Sequence, residues 1–296
     1  MKRTELACIA CLLLSMIAML LLGSTQPATA QPDRATVDEG TEFWVIFPQN
    51  FRNFIRDTDG TETPSARLQQ TLTLNASEQT RVRIEFGGSG GAETMVLEPG
   101  RTLVPIDSSM QLTDVGLIAG KGIRVVSEHP ISVVASSHRY QTTDAYTVLP
   151  SEGLGTRYRV AAYKWLASDL LSQCAVLATE DRTTLTLHPS VKTESGHSAG
   201  EPVTVELNAG EVYRIRAAFD PRTDSDLTGS LIESNRPVAI FSGHNCAYVP
   251  KRDYKACNLL VEQLRPTIDY GTAFVLSPFA PRLSATARII ADEQGT

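Results

Sequence analysis

Cys246 and Cys257 enclose ten residues, among them Lys251, Arg252, Asp253, Tyr254 and Lys255. Two thiols in one short loop of an exported chain pair as a disulfide, and such a bridge would hold a charged loop against the end of a strand. Tyr248 and Tyr254, with Lys251, Arg252 and Lys255, supply the aromatic and basic contacts favoured at recognition surfaces. These five are the candidate ligand-binding residues. The oxygens of Asp57, Asp59 and Glu62, and of Asp220, Asp224 and Asp226, are of the kind Ca2+ prefers, yet neither loop completes a twelve-residue ligand pattern, and polar turns account for both. Calcium is therefore the one candidate ion, and no other cofactor is indicated.

Other residue types capable of chemistry have plainer readings. Gly87-Gly88-Ser89-Gly90-Gly91 has the spacing of a nucleophile elbow, but an elbow needs a helix after the serine, and Ala92-Glu93-Thr94-Met95-Val96 reads as a strand; the stretch is a hairpin tip. Gly116 to Gly122 is one residue short of a phosphate-binding loop and has no Ser or Thr after Lys121. Glu152 and Glu262 could act as acid and base only in a common cleft. His138 and His244 end similar strands, where hydrogen bonding is the usual role. Cys174 opens an apolar strand and reads as a buried, inert thiol. No catalytic residue is assigned.

The first thirty residues are a secretion signal: Lys2 and Arg3, an apolar run over residues 12–22, then Ala28-Thr29-Ala30 as the small-x-small cleavage pattern. The run is too short to favour a membrane span, and nothing later is long enough, so no transmembrane segment is expected in the mature chain. Of 27 basic and 33 acidic residues, 25 and 32 remain without Lys2, Arg3 and Glu5, a net charge of −7. That balance disfavours a nucleic-acid partner, because no basic stripe exists to displace counterions. Export and a disulfide point to a secreted, extracellular or cell-surface protein.

From residue 33 onward the chain reads as short strands separated by turns. Arg81-Val82-Arg83-Ile84-Glu85-Phe86 alternates polar and apolar, as a half-buried antiparallel strand does. Glu98-Pro99-Gly100 and Glu128-His129-Pro130 have the composition of hairpin turns, and Glu233 to Pro237 reads as a polar turn between two short strands. Residues 165–172 read as a short helical turn. Residues 122–139 resemble residues 229–245, with Ser127 over Ser234, Pro130 over Pro237 and His138 over His244. Their flanks repeat as well, giving a unit of roughly 105–115 residues, a usual size for a sandwich domain. The expected fold is all-β: a signal peptide (1–30), two tandem antiparallel β-sandwich modules (31–157 and 158–270), and the opening of a third, truncated one (271–296), where Phe274-Val275-Leu276-Ser277-Pro278 echoes Phe43 to Pro48.

The repeated stretches resemble the N-terminal domain family of the IgGFc-binding protein. The similarity runs from about Gly40 to the end and rests on Phe43-Trp44-Val45-Ile46-Phe47-Pro48-Gln49-Asn50, on Ser127-Glu128-His129-Pro130, and on Leu149-Pro150 with Leu154-Gly155-Thr156. It continues through Ser242-Gly243-His244-Asn245-Cys246-Ala247-Tyr248-Val249-Pro250 and Cys257-Asn258-Leu259-Leu260-Val261-Glu262-Gln263-Leu264. One departure is Asn258, where an acidic residue is common. The resemblance implies a non-enzymatic extracellular binding or adhesion module whose partner is a protein or glycoprotein, with no residue signature for immunoglobulin itself. The alternatives are an architectural spacer in a larger surface protein and, third, a secreted glycan-acting hydrolase.

Overall fold

The computed structural model describes residues 38–51, 68–88, 90–250, 256–277 and 286–292. The segment read as a secretion signal lies outside the described residues. Among the described residues seventeen strands follow one another: β1 (Glu39–Val45), β2 (Phe47–Pro48), β3 (Gln69–Ala76), β4 (Thr80–Phe86), β5 (Ala92–Leu97), β6 (Gly100–Ile106), β7 (Gln111–Leu112), β8 (Ile118–Ala119), β9 (Ile123–Arg139), β10 (Thr142–Val148), β11 (Gly155–Arg159), β12 (Ser172–Ala178), β13 (Thr183–His188), β14 (Val203–Leu207), β15 (Val212–Arg216), β16 (Leu231–Ala247) and β17 (Asn258–Gln263). Among the described residues the only helices are single 3-10 turns, and no helix is long and apolar enough to cross a membrane.

Each half of the chain is organised around one strand of 17 residues, β9 or β16. The first sheet has the order β5-β4-β9-β3-β6, with β1 and β10 also on β9; the second has β14-β13-β16-β12-β15-β8, with β11 and β17 also on β16. Every strand of the first sheet thus has a counterpart at the same place in the second, which adds β8. Among the described residues all strand pairings are antiparallel except the short β2–β7 bridge. Only Glu98 and Pro99 separate β5 from β6, although these strands stand at opposite ends of the sheet order. So short a link requires the sheet to curl until its edges approach, and the two sheets form a half-barrel and a near-barrel.

The two proline segments expected to be turns lie inside the long strands. β4 pairs with β9 as far as Ser127, and β3 takes over from Ile131. In β16, β13 pairs as far as Ser234 and β12 takes over at Val238. Proline has no N–H to give a ladder, so at Pro130 and Pro237 the hub strand bends and changes partner without reversing. Glu98-Pro99-Gly100 is likewise a corner between the two ends of the sheet, not a hairpin turn.

The pairings also correct the alignment of the histidines. Ala76 faces Ile131 and Ala178 faces Val238, so Val238 holds the place of Ile131. Counting on, His244 corresponds to Ser137, and His138 to Asn245. One residue of slip turns a strand side chain to the other face: His138 is exposed, whereas His244 is fully buried.

Two apolar cores result. The first lies between the sheets and draws Leu72, Leu74, Val125 and Val133 from one side and Ala175, Leu177, Ala239 and Phe241 from the other. The second lies inside the near-barrel and takes the alternate residues of the same strands, Cys174, Val176, Val238 and Ile240. Central strands β12 and β16 are therefore covered on both faces, which is why they read as unbroken apolar runs. The same outer face in the first sheet is different. There Thr73, Asn75, Ser132, Val134 and Ala145 occupy the places of Ala175, Leu177, Ala239, Phe241 and Val261, and all are half-buried or exposed.

The edges β10 and β17 meet where the sheets join. Asn258 receives the Thr143 N–H on Oδ1 (2.8 Å) and donates Nδ2 to the Thr143 carbonyl (2.9 Å). The Asp144 carboxylate accepts from the Val261 N–H at 2.9 Å, and Gln263 Oε1 accepts from the Leu149 N–H at 2.9 Å. Side chains here satisfy backbone groups that a continuing ladder would otherwise take.

Candidate functional site

The end of β16 and the start of β17 are bridged by Cys246 and Cys257, with Cα atoms 5.2 Å apart, in keeping with their positions in one loop. Just before the bridge the two strands cross closely: a Cβ on Gly243 would collide with the Leu260 carbonyl oxygen, so only glycine fits. The register then shifts between His244 and Ala247, a bulge that aims the following residues out of the sheet. Tyr248 is half-buried and Val249 is exposed. Of the five proposed ligand-binding residues, Lys251, Arg252, Tyr254 and Lys255 lie outside the described residues.

A further loop reaches the base of this one, and a third packs against that loop. Tyr163, between β11 and β12, donates its hydroxyl to the Pro250 carbonyl at 2.8 Å. Trp165, two residues on, packs edge-to-face on Phe219 of the loop between β15 and β16, with ring centroids 4.9 Å apart. Its indole N–H donates to the Thr223 carbonyl. Phe219 is 42% exposed, a large value for a phenylalanine held in place by a neighbour. The segment expected to be a short helical turn is thus an extended loop closed by a tight Ala167–Leu170 bridge. It carries aromatic groups that its hydrophobic pattern did not single out.

A cation completes this platform. The Arg288 guanidinium lies 5.0 Å from the centre of the Tyr163 ring and 2.7 Å from the Asp226 carboxylate, and it also donates to the Ala162 carbonyl. Four residues later Asp292 binds Arg157 at 3.1 Å and Arg159 at 2.9 Å, fastening the segment to β11. These arginines hold Asp292 below the usual carboxylate range, the Arg157 hydrogen bond being the largest cause.

In the second proposed calcium loop, Asp220 and Asp226 have partners of their own. Asp220 is hydrogen-bonded and ion-paired to Arg222, which lowers its pKa to about 2. Asp226 serves Thr228 and Arg288, while Asp224 is well exposed, 3.9 Å from Lys164. Among the described residues no three His, Cys, Asp or Glu groups are gathered to hold a metal. Asp57, Asp59 and Glu62 lie outside those residues.

The remaining candidates stand on different elements. Glu152 sits in the 3-10 turn after Pro150, whereas Glu262 stands on β17 in an open cleft with Asp38, Thr147 and Arg265. Partial burial, then the neighbouring Asp144 carboxylate, raise the Glu262 pKa. Lys121 of the glycine-rich stretch donates to the carbonyls of Ser109 and Gln111 at 2.9 and 2.8 Å, a structural tie. Gly87 and Gly91 flank a hairpin tip between β4 and β5, where Phe86 N–H donates to the Gly91 carbonyl. Cys174 is buried and unbridged, with burial pushing its thiol up to about 12.

Several residues of the repeated motifs turn out to hold the sheets together. Asn50 is buried and donates to Ser137 Oγ while accepting from Thr142 Oγ1. His244 is neutral: burial lowers its pKa to about 4, and its Nδ1 accepts the Cys246 N–H at 3.0 Å. Asn245 accepts the Leu171 N–H and donates to the Asp169 carbonyl, fixing the loop that carries Trp165. Gln49 accepts from Arg214, a residue that no motif or spacing marks out. Arg214 is 1% exposed, and among the described residues its guanidinium donates to neutral oxygens, those of Gln49, Gln173 and the Thr113 carbonyl.

A family model described as IgGFc binding protein matches residues 144–296. The IgGFc-binding protein of Homo sapiens is 26% identical over 285 residues, which cover 94% of this chain and 5% of that protein. The chain therefore spans about one twentieth of the length of the curated relative it matches. No solved structure matches it. With more than half of its residues under the family model, this chain belongs to the IgGFc-binding protein family.

Proposed function

We propose that the chain is a secreted, non-enzymatic binding module, built as a tandem repeat, that recognises an extracellular glycoprotein or immunoglobulin-like protein. The observation that carries this reading is the cluster of three loops at the Cys246–Cys257 end of the second sheet, with Phe219 and Val249 exposed and Trp165 half-buried beneath Phe219. Aromatic groups pinned by hydrogen bonds and ring packing offer contact area without a large ordering cost. Lys251, Arg252, Tyr254 and Lys255 belong to the same loop, between the two cysteines. The name of the human relative supplies the first ligand to try.

The test is binding of the purified chain to immobilised IgG Fc, Fab and mucin glycoprotein, with circular dichroism to establish folding. Saturable binding to one surface, lost on reduction and weakened at least tenfold by Trp165→Ala or by Arg252→Ala with Tyr254→Ala, is the expected result. A folded chain that binds none of them would favour the spacer reading. Binding unchanged by all three substitutions would move the contact away from this end of the molecule.

A further inference from the structure

Three stretches of the chain begin alike: Gly40-Thr41-Glu42-Phe43-Trp44-Val45, Gly155-Thr156-Arg157-Tyr158-Arg159-Val160 and Gly271-Thr272-Ala273-Phe274-Val275-Leu276. The first two contain most of β1 and the whole of β11, which occupy the same edge of the two hub strands. Phe43 lies opposite Val125, and Tyr158 opposite Ile232, its counterpart in β16. Phe43, Val45, Tyr158 and Val160 are all wholly buried.

The approach to each stretch repeats as well. Pro150 caps the 3-10 turn Ser151–Gly153 that leads into Gly155, and Pro266 caps the turn Thr267–Asp269 that leads into Gly271. Pro150 also lies against Gly40, and Pro266 against Gly155, so closely that a Cβ on either glycine would fall 2.5 Å from the proline ring. The junction that carries the chain out of the first sheet into β11 is therefore built a second time, five residues from proline to glycine in both cases.

The third stretch departs from the other two in its burial. Phe274 and Leu276 occupy the register positions of Phe43 and Val45, yet they are 73% and 72% exposed, and Val275 between them is 97% exposed. Three large apolar side chains in a row on a segment with no strand partner among the described residues are an uncovered edge of the kind that proteins normally pair or charge.

We propose that residues 271–276 are a docking strand for the hub strand of a further unit of this kind. The partner is defined chemically by β9 and β16: a strand of about 17 residues with alternate aliphatic side chains turned inward and a Ser-x-x-Pro bend near its middle. It pairs antiparallel along the strand, as β9 does with β1, and its residue at the place of Val125 lies opposite Phe274. A second copy of this chain is not the occupant, because its own hub strands already carry β1 and β11 on that edge. The inference is independent of the binding function proposed above, which concerns the loops beside the disulfide.

The experiment uses the full mature chain and a fluorescein-labelled synthetic peptide with the sequence of residues 229–245, followed by fluorescence anisotropy. Because such a peptide can self-associate, the same sequence is also fused after Thr296 through a flexible Gly-Ser linker, and amide hydrogen exchange is read over residues 272–276. Expected are saturable binding of the peptide, no binding of a shuffled peptide, and slowing of exchange in the fusion by at least tenfold. Phe274→Asp should weaken peptide binding at least tenfold, whereas Leu103→Asp, on another exposed apolar position, should leave it unchanged. No binding together with no slowing would overturn the proposal. So would binding indifferent to Phe274→Asp, or dimerisation of the unmodified chain through Phe274.

Discussion

Phe241 stands on the second sheet but fills the core of the first half, where its ring packs edge-to-face on Tyr146 at 5.4 Å between centroids. Phe241→Ala should therefore loosen both halves at once. Removing a buried phenylalanine costs about 3–5 kcal/mol, the lost aromatic contact being part of that figure. At an m-value of about 3 kcal/mol per M urea, the midpoint should fall by about 1–2 M. The chain carries its own reporters, because its two tryptophans, Trp44 and Trp165, lie one in each half. Trp165→Phe leaves the first half visible by fluorescence, and Trp44→Phe leaves the second. Both probes should follow a single urea transition and shift equally with Phe241→Ala. If the Trp44 transition stays in place while the Trp165 transition moves, the halves are independent domains and the shared core does not couple them.

Three other outcomes rest on the same kinds of contact. Cys246→Ser with Cys257→Ser should cost about 2–3 kcal/mol, the chain-entropy value for so short a loop, measured by urea unfolding with and without reductant. His244 is buried neutral with its pKa lowered to about 4, so between that value and about 6.5 the unfolded chain holds more protons than the folded one. Stability is then complete above about pH 6.5 and is lost on the way down to about pH 4, by about 3 kcal/mol; His244→Gln should flatten that part of the profile, and an unchanged slope would contradict the assignment. Arg214→Met should leave the buried Gln173 oxygen and the half-buried Gln49 oxygen without this donor and cost about 2–4 kcal/mol, visible as a lowered urea midpoint.

Much of the architecture was legible in the sequence for a definite reason. The polar–apolar alternation of residues 81–86 could belong only to a strand with one wet face, and the structure places it so. The uninterrupted run Cys174-Ala175-Val176-Leu177-Ala178 carried more information than its length suggests, since both faces of β12 are covered. Pro130 and Pro237 were harder to read, because a proline-containing polar segment looks alike whether the chain reverses or merely changes partner. The histidines show a different limit: an alignment by residue type tolerates a slip of one, and a strand does not. At the candidate site, the cysteine pair was visible from its place in one loop of a chain whose start reads as a secretion signal. Trp165 and Phe219 were not, because 53 residues lie between them in the chain and only the fold of the second sheet brings their loops together.

The contrast between the two outer faces gives the molecule a direction. Where the second sheet presents Ala239 and Phe241 to its neighbour, the first presents Ser132 and Val134, with Asn75 donating to the Ser132 hydroxyl at 3.2 Å. The outside of the second unit is seated in the mouth of the first, as one cup sits in another, and the base of the first cup carries a polar glaze. Exchanging Ser132 and Thr73 for the Ala239 and Ala175 types would remove the glaze, and the expected consequence is a chain that seats itself in others end to end.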